Sequence, residues 1–134
     1  MERTLVLLKP DALKRGLVGE IIHRYERKNL RVIKMKMLMP ERNLLRTHYI
    51  EHEGKDFLGP LIEFMHDTVV ALVLEGDHAI EIVRLINGAT NPKDALPGTI
   101  RGDYCVSPTK NLVHGSDCIE SALREIPLWF HENE

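Results

Sequence analysis

Cysteine is scarce, long apolar runs are absent, and neither sign of charge dominates. Cys105 and Cys118 are the only two cysteines. Their spacing builds neither a disulfide framework nor a clustered metal site, which suits a reducing compartment. The apolar run near the start, Leu5 to Leu8, stops at Lys9 and Pro10. That is too short for the core of a signal peptide, and no other segment reaches the ~20 apolar residues of a membrane span. The expectation is a cytoplasmic chain with no membrane partner. The 18 basic and 20 acidic residues leave a formal net charge of −2. The basic residues are scattered and form no stripe, so no nucleic-acid partner is expected and any phosphate site must be local.

What is present is ordinary for a soluble globular protein: 43% hydrophobic and 28% charged residues, far from the composition of disorder. A chain of 134 residues is the size of one domain, residues 1–134. Thr4 to Leu8 reads as a central strand closed by Lys9-Pro10, because proline removes a ladder donor. Lys9 then stands at the carboxyl end of the strand. Asp11 can cap a helix continuing to about Asn29, with Leu17, Ile21, Ile22 and Tyr25 inward and Lys14, Arg15, Glu20, Arg24 and Lys28 outward. Leu30 to Met39 alternates from Ile33 to Met37 as a strand with one face on a core. Helical patterns follow at 41–52 and 58–66, a buried strand at 69–74, and a helix at 77–86. From Asn87 to Gly102, glycines and the prolines Pro92 and Pro97 break any period, giving a long loop of a size that is usually functional. Leu112-Val113 is a brief apolar step. Asp117 and Glu120 then form a plausible capping box for a helix whose apolar face includes Ile119, Ala122, Leu123 and Ile126. This order is close to the split β-α-β arrangement: an α/β sandwich, ferredoxin-like βαββαβ, with a four-stranded antiparallel sheet covered by helices.

The segment NLVHGSD, 111–117, sets His114 beside Gly115 and just before a helix N-terminus. Free N–H groups and the helix dipole there favour an arriving anion. An imidazole can attack while its second nitrogen donates to an orienting partner. Glu125, eleven residues on, is a candidate for that partner. The plainer readings are a core histidine bonded to backbone and a solvated helix glutamate. Phosphoryl transfer also requires cations around the transferred group. Lys9, Arg84 and Arg101 are the candidates, and Thr90 and the glycines of its loop could add donors. A lone arginine is more often a solvated surface residue, so only Lys9, at a strand end, and Arg101, in a glycine-rich loop, have informative settings.

Three separated segments, LLKPDALKRG at 7–16, NGATNPKDALPGTIRGDY at 87–104 and NLVHGSDCIESALREI at 111–126, together resemble the nucleoside diphosphate kinase family. The resemblance runs from about Arg3 to Phe130, with the segments in the family's order and nearly its spacing. It implies ping-pong transfer of a γ-phosphoryl group through a phosphohistidine on His114, supported by Glu125 and Ser116 with Tyr49 close by. By the same carry-over, Arg84, Thr90 and Arg101 would bind phosphates, Lys9 and Asn111 the ribose hydroxyls, and Lys9 also a phosphate. Phe57 would stack on the base, a π-face contact that tolerates every base. Substrates would be ATP, GTP, CTP, UTP, their deoxy forms and the matching diphosphates. Mg²⁺ would arrive on the nucleotide, with Asp117 at most an indirect ligand and no metal held by protein alone. The family resemblance also implies a homo-oligomer, a hexamer favoured over a tetramer. The chain departs from the family pattern at FMHDTVVA, 64–71, which is one residue shorter, and at Pro108 on the base side of the nucleotide mouth.

The sequence also bears on two other readings. HYIEH at 48–52 fits the H-x-x-E-H pattern of a zinc peptidase, but five residues arise easily by chance, and they include Tyr49 of the kinase reading. A scaffolding relative without turnover is disfavoured, because no candidate catalytic position is substituted.

Overall fold

The computed structural model describes residues 1–134. Strands β1 (Glu2–Leu8), β2 (Arg31–Leu38), β3 (Val69–Gly76) and β4 (Val113–Gly115) form one sheet in the order β2-β3-β1-β4, every pair antiparallel. The helices are α1 (Pro10–Lys14), α2 (Val18–Arg27), α3 (Arg42–His48), α4 (Leu58–Met65), α5 (Ala79–Asn87), α6 (Ile100–Tyr104) and α7 (Ile119–Trp129). A short 3₁₀ turn, Ile50–His52, follows α3.

The central strands β1 and β3 are apolar on both faces because both faces are covered. Val6, Leu8, Val70, Leu72 and Leu74 pack with Ile21 and Tyr25 of α2 and Ala79 and Val83 of α5. Leu5, Leu7, Val69, Ala71 and Val73 pack with Leu45, Ile62, Met65 and Trp129 on the opposite side. A strand buried on both faces loses alternation and reads as a continuous hydrophobic run.

Several expectations are corrected. The helix expected from Asp11 to Asn29 is two helices, broken where Gly16 takes φ +68, a left-handed conformation that costs glycine little. Arg24 does not face solvent. It is 8% exposed and pairs with Glu20 at 2.8 Å and Asp103 at 2.8 Å, clasping α6 to α2. Strand β2 alternates as expected, but Met35 and Met37 point outward, because β2 is a sheet edge with a register shift between Val32 and Lys34. In α7, Ile119 and Leu123 are exposed, and the inward face carries Ala122, Glu125 and Trp129. The Asp117 capping box does not form: Cys118 is the N-cap and makes no side-chain capping bond.

Candidate active site

The carboxyl end of β1, strand β4, helix α5, the 87–102 loop and the end of α3 surround a cleft of about 1070 Å³. Its lining includes Lys9, His48, Tyr49, Arg84, Thr90, Arg101, Asn111, His114 and Glu125, which the topology gathers from across the chain.

β4 places His114. Its strand pairs with β1 through His114 opposite Leu7, and Gly115 lets α5 come close: a Cβ there would lie 2.9 Å from Val83 Cγ1 and 3.1 Å from Asn87 Nδ2. Just before the strand, Leu112 takes φ +74 while the Val113 N–H donates to the Asn111 carbonyl at 2.8 Å, a tight γ-turn of the strained, positive-φ kind. Asp11 Oδ2, accepting from the Leu112 N–H at 3.1 Å, ties that turn to α1.

His114 Nε2 lies 3.0 Å from Glu125 Oε1, and Ser116 Oγ donates to the same oxygen at 2.8 Å. Ser116 itself accepts from the Leu5 N–H at 3.2 Å, so the group is tied into β1. Burial by itself would raise the Glu125 carboxyl, but hydrogen bonds from His114 and Ser116 and the neighbouring charges outweigh it and hold the group below its usual range. Glu125 is therefore a buried, fully partnered carboxylate.

Lys9 is 7% exposed and donates to Asn111 Oδ1 at 2.7 Å. Burial, reinforced by the charge of Arg101, lowers its pKa to about 8. The Arg101 guanidinium donates to three carbonyls, those of Asn111 at 3.1 Å, Gly88 at 2.7 Å and Val113 at 2.6 Å. Guanidinium has five N–H donors, so two remain for a ligand. Arg84 stands at the exposed mouth, its Nη1 3.5 Å from the Asp117 carbonyl, and Thr90 is exposed beside it. The Tyr49 hydroxyl is buried with no partner in the protein, and burial, then the Glu125 charge, pushes it up, so it stays a donor. Phe57, half exposed, is outside the immediate lining. Its ring sits 5.0 Å from that of His52, which does line the cleft.

The segment expected as loop from Asn87 to Gly102 holds the start of helix α6. Thr99 caps α6 by accepting from the Gly102 N–H at 2.9 Å, and this lifts Arg101 into position. Thr99 before an apolar residue was the available signal. The zinc-peptidase pattern does not assemble. His48 bonds Trp129 and packs on His114, while His52 stacks on Tyr49.

A cleft that holds Lys9, Arg84 and Arg101 together with one oriented imidazole, on a ferredoxin-like antiparallel sheet, defines an enzyme that handles phosphorylated substrates. The chain belongs to the nucleoside diphosphate kinase family: the family model described as nucleoside diphosphate kinase matches residues 2–134. The activity is transfer of the γ-phosphoryl of a nucleoside triphosphate to a nucleoside diphosphate. A curated nucleoside diphosphate kinase of Caldanaerobacter subterraneus subsp. tengcongensis is 59% identical over 133 residues, covering 98% of this chain and 96% of that protein. Nucleoside diphosphate kinase A 1 of Bos taurus is 47% identical, covering 99% of this chain and 88% of that one. Among solved structures, the apo enzyme of Encephalitozoon cuniculi superposes with TM-score 0.96 at 46% identity, covering 99% of this chain and 91% of that chain. The Halobacterium salinarum enzyme in complex with CDP gives TM-score 0.96 at 44% identity, covering 99% and 90%.

Proposed function

We propose that residues 1–134 act as one catalytic domain in which His114 carries the phosphoryl group between two nucleotides. The contact that supports this most is the 3.0 Å pair between His114 Nε2 and Glu125 Oε1. Because Glu125 is held as a carboxylate, the ring proton belongs on Nε2, and Nδ1 keeps the lone pair. Nδ1 attacks the γ-phosphorus of the donor. The P–N bond forms as the bridging P–O bond breaks, and the electron pair leaves with the diphosphate. The acceptor's terminal phosphate oxygen then attacks the same phosphorus, the P–N bond breaks, and the imidazole returns neutral. Glu125 stabilises the positive ring in between, and Ser116 keeps Glu125 in place.

The remaining roles follow from the donors available. Arg84, Thr90 and the two uncommitted N–H groups of Arg101 meet the phosphates. Lys9 and Asn111 take the ribose hydroxyls, Lys9 reaching a phosphate as well, and the buried Tyr49 hydroxyl donates to the transferred group. Phe57 at the rim offers a face for any base, so purine and pyrimidine nucleotides, ribo or deoxy, are accepted alike. The carboxylates beside the nucleophile form no oxygen cage, which fits Mg²⁺ entering on the nucleotide, with Asp117 reaching it only through water. Mg²⁺ bound with the nucleotide would spread the charge of its phosphates. No helix is long and apolar enough to cross a membrane, which supports a cytoplasmic enzyme. The exposed methionine row of edge strand β2 supports a homo-oligomer, which we take as a hexamer.

Initial rates test the reading. With donor varied at several fixed acceptor concentrations, double-reciprocal lines run parallel if one site serves both nucleotides in turn. Intersecting lines would mean direct transfer within a ternary complex.

A further inference from the structure

His48 lines the cleft but has no part in the scheme above. It is 2% exposed, and its ring centroid lies 4.7 Å from that of His114, edge on at 75°. It closes helix α3, whose buried side brings it against α7. There the indole Nε1 of Trp129, itself 1% exposed, lies 3.1 Å from His48 Nδ1. An indole nitrogen only donates. Nδ1 must therefore be the nitrogen without a proton. Burial first, then the charges of His114, Arg124, Lys9 and His52, keeps the ring neutral, and the single proton is left on Nε2.

That choice of nitrogen matters because of what stands beside it. One ligand-type atom each from His48, His114 and Glu125 all fall within 4.8 Å of one another. Two imidazoles and a carboxylate are the donor set of a catalytic zinc site. A divalent cation held by all three would tie up the His114 ring and the carboxylate that orients it. It can bind only if His48 offers a lone pair on the cleft side, which requires the proton on Nδ1, where the Trp129 N–H already points.

We propose that Trp129 and His48 form a tautomer lock, which leaves an N–H instead of a lone pair on the remaining His48 nitrogen and so prevents this trio from closing on a zinc-like cation. His48 is then a positioning residue that guards the nucleophile by its protonation pattern, and Trp129 sets that pattern. The proposal rests on His114 being the reacting residue only for its consequence in turnover. The tautomer and the metal affinity stand apart from it.

The first test uses the wild-type protein with ¹⁵N-labelled histidine. Two-bond proton–nitrogen correlations report the His48 tautomer directly, and a protonated Nε2 with bare Nδ1 is expected. A protonated Nδ1 overturns the proposal. The second titrates Zn²⁺ by calorimetry into wild type and Trp129→Phe, with turnover measured in parallel at excess Mg²⁺. Losing the indole donor frees Nδ1 to take a proton. Zn²⁺ should then bind about ten- to a hundredfold more tightly, the scale on which second-layer partners tune metal sites. Inhibition by Zn²⁺ should strengthen in step, reverse with chelator, and disappear when His48→Gln is added. Equal Zn²⁺ affinity in folded wild type and Trp129→Phe would overturn it. If His48 shows the expected tautomer and tighter Zn²⁺ binding leaves turnover untouched, His114 is not the reacting residue, and that outcome counts against the proposed function while the lock stands.

Discussion

Replacing Glu125 with glutamine keeps the shape of the contact and removes its charge. The amide oxygen of the Glu125→Gln variant can still accept from His114 Nε2 and Ser116 Oγ, which meet Glu125 Oε1 at 3.0 and 2.8 Å. What is lost is the charge-assisted part of the bond to a ring that becomes positive when phosphorylated. Hydrogen bonds to charged groups contribute about 1.5–3 kcal/mol against about 0.5–1.5 for neutral ones. The difference, about 1–1.5 kcal/mol, predicts a phosphorylation rate lowered roughly five- to fifteenfold. Glu125→Ala goes further. It frees the ring to reorient and leaves the buried Ser116 hydroxyl, 0% exposed, without its acceptor, so the loss should be roughly 10²-fold. Quenched-flow measurement of labelled enzyme formed from γ-labelled ATP reads the step before any turnover. Equal rates for wild type and Glu125→Gln would show that the carboxylate only fills space. Equal rates for Glu125→Gln and Glu125→Ala would show that orientation contributes nothing.

Three further outcomes follow from the same cleft. The Lys9 ammonium, lowered to about 8, is charged below that pH and neutral above it; kcat/KM should therefore decline as pH rises through about 8, and a profile flat into the Lys titration range would contradict its role as a phosphate cation. Arg101→Ala should reduce kcat roughly 10²-fold, and Arg101→Lys nearly as much, because an ammonium cannot span the three carbonyls that the guanidinium joins; full activity in the lysine variant would refute this. Phe57→Ala should raise KM roughly fivefold, the low end of about 1–3 kcal/mol for stacking on an exposed ring, and by the same factor for purine and pyrimidine nucleotides; a selective effect would mean that the ring reads the base.

Much of the fold was legible because its signals are local. Lys9-Pro10 ends β1 where expected, the run from Val69 marks a strand buried on both faces, and glycine at 88 and proline at 92 announce the loop. Legibility ended where tertiary contacts overrule a local pattern. The outward methionines of β2 have the right period and the wrong side, since an edge position and a register shift are invisible in one strand's sequence. Arg24 follows helical spacing to an outward face, yet α6 returns across it and supplies Asp103. In the site, the candidate residues could be named one by one, but the means of placing them could not. A positive φ is sought at glycine, and here it falls at Leu112, where Asp11 from a distant helix fixes the turn. His48 and Trp129 carry no shared motif, being 81 residues apart, and only packing of α3 on α7 makes them a pair.

The most direct test of the central claim follows the phosphoryl group itself. Protein incubated with γ-labelled ATP and Mg²⁺, then freed of nucleotide, should carry acid-labile, base-stable label that maps to His114 and passes to added GDP or CDP. His114→Ala should lose both labelling and transfer. Normal turnover in that variant, or label on another residue that still transfers, would contradict the account.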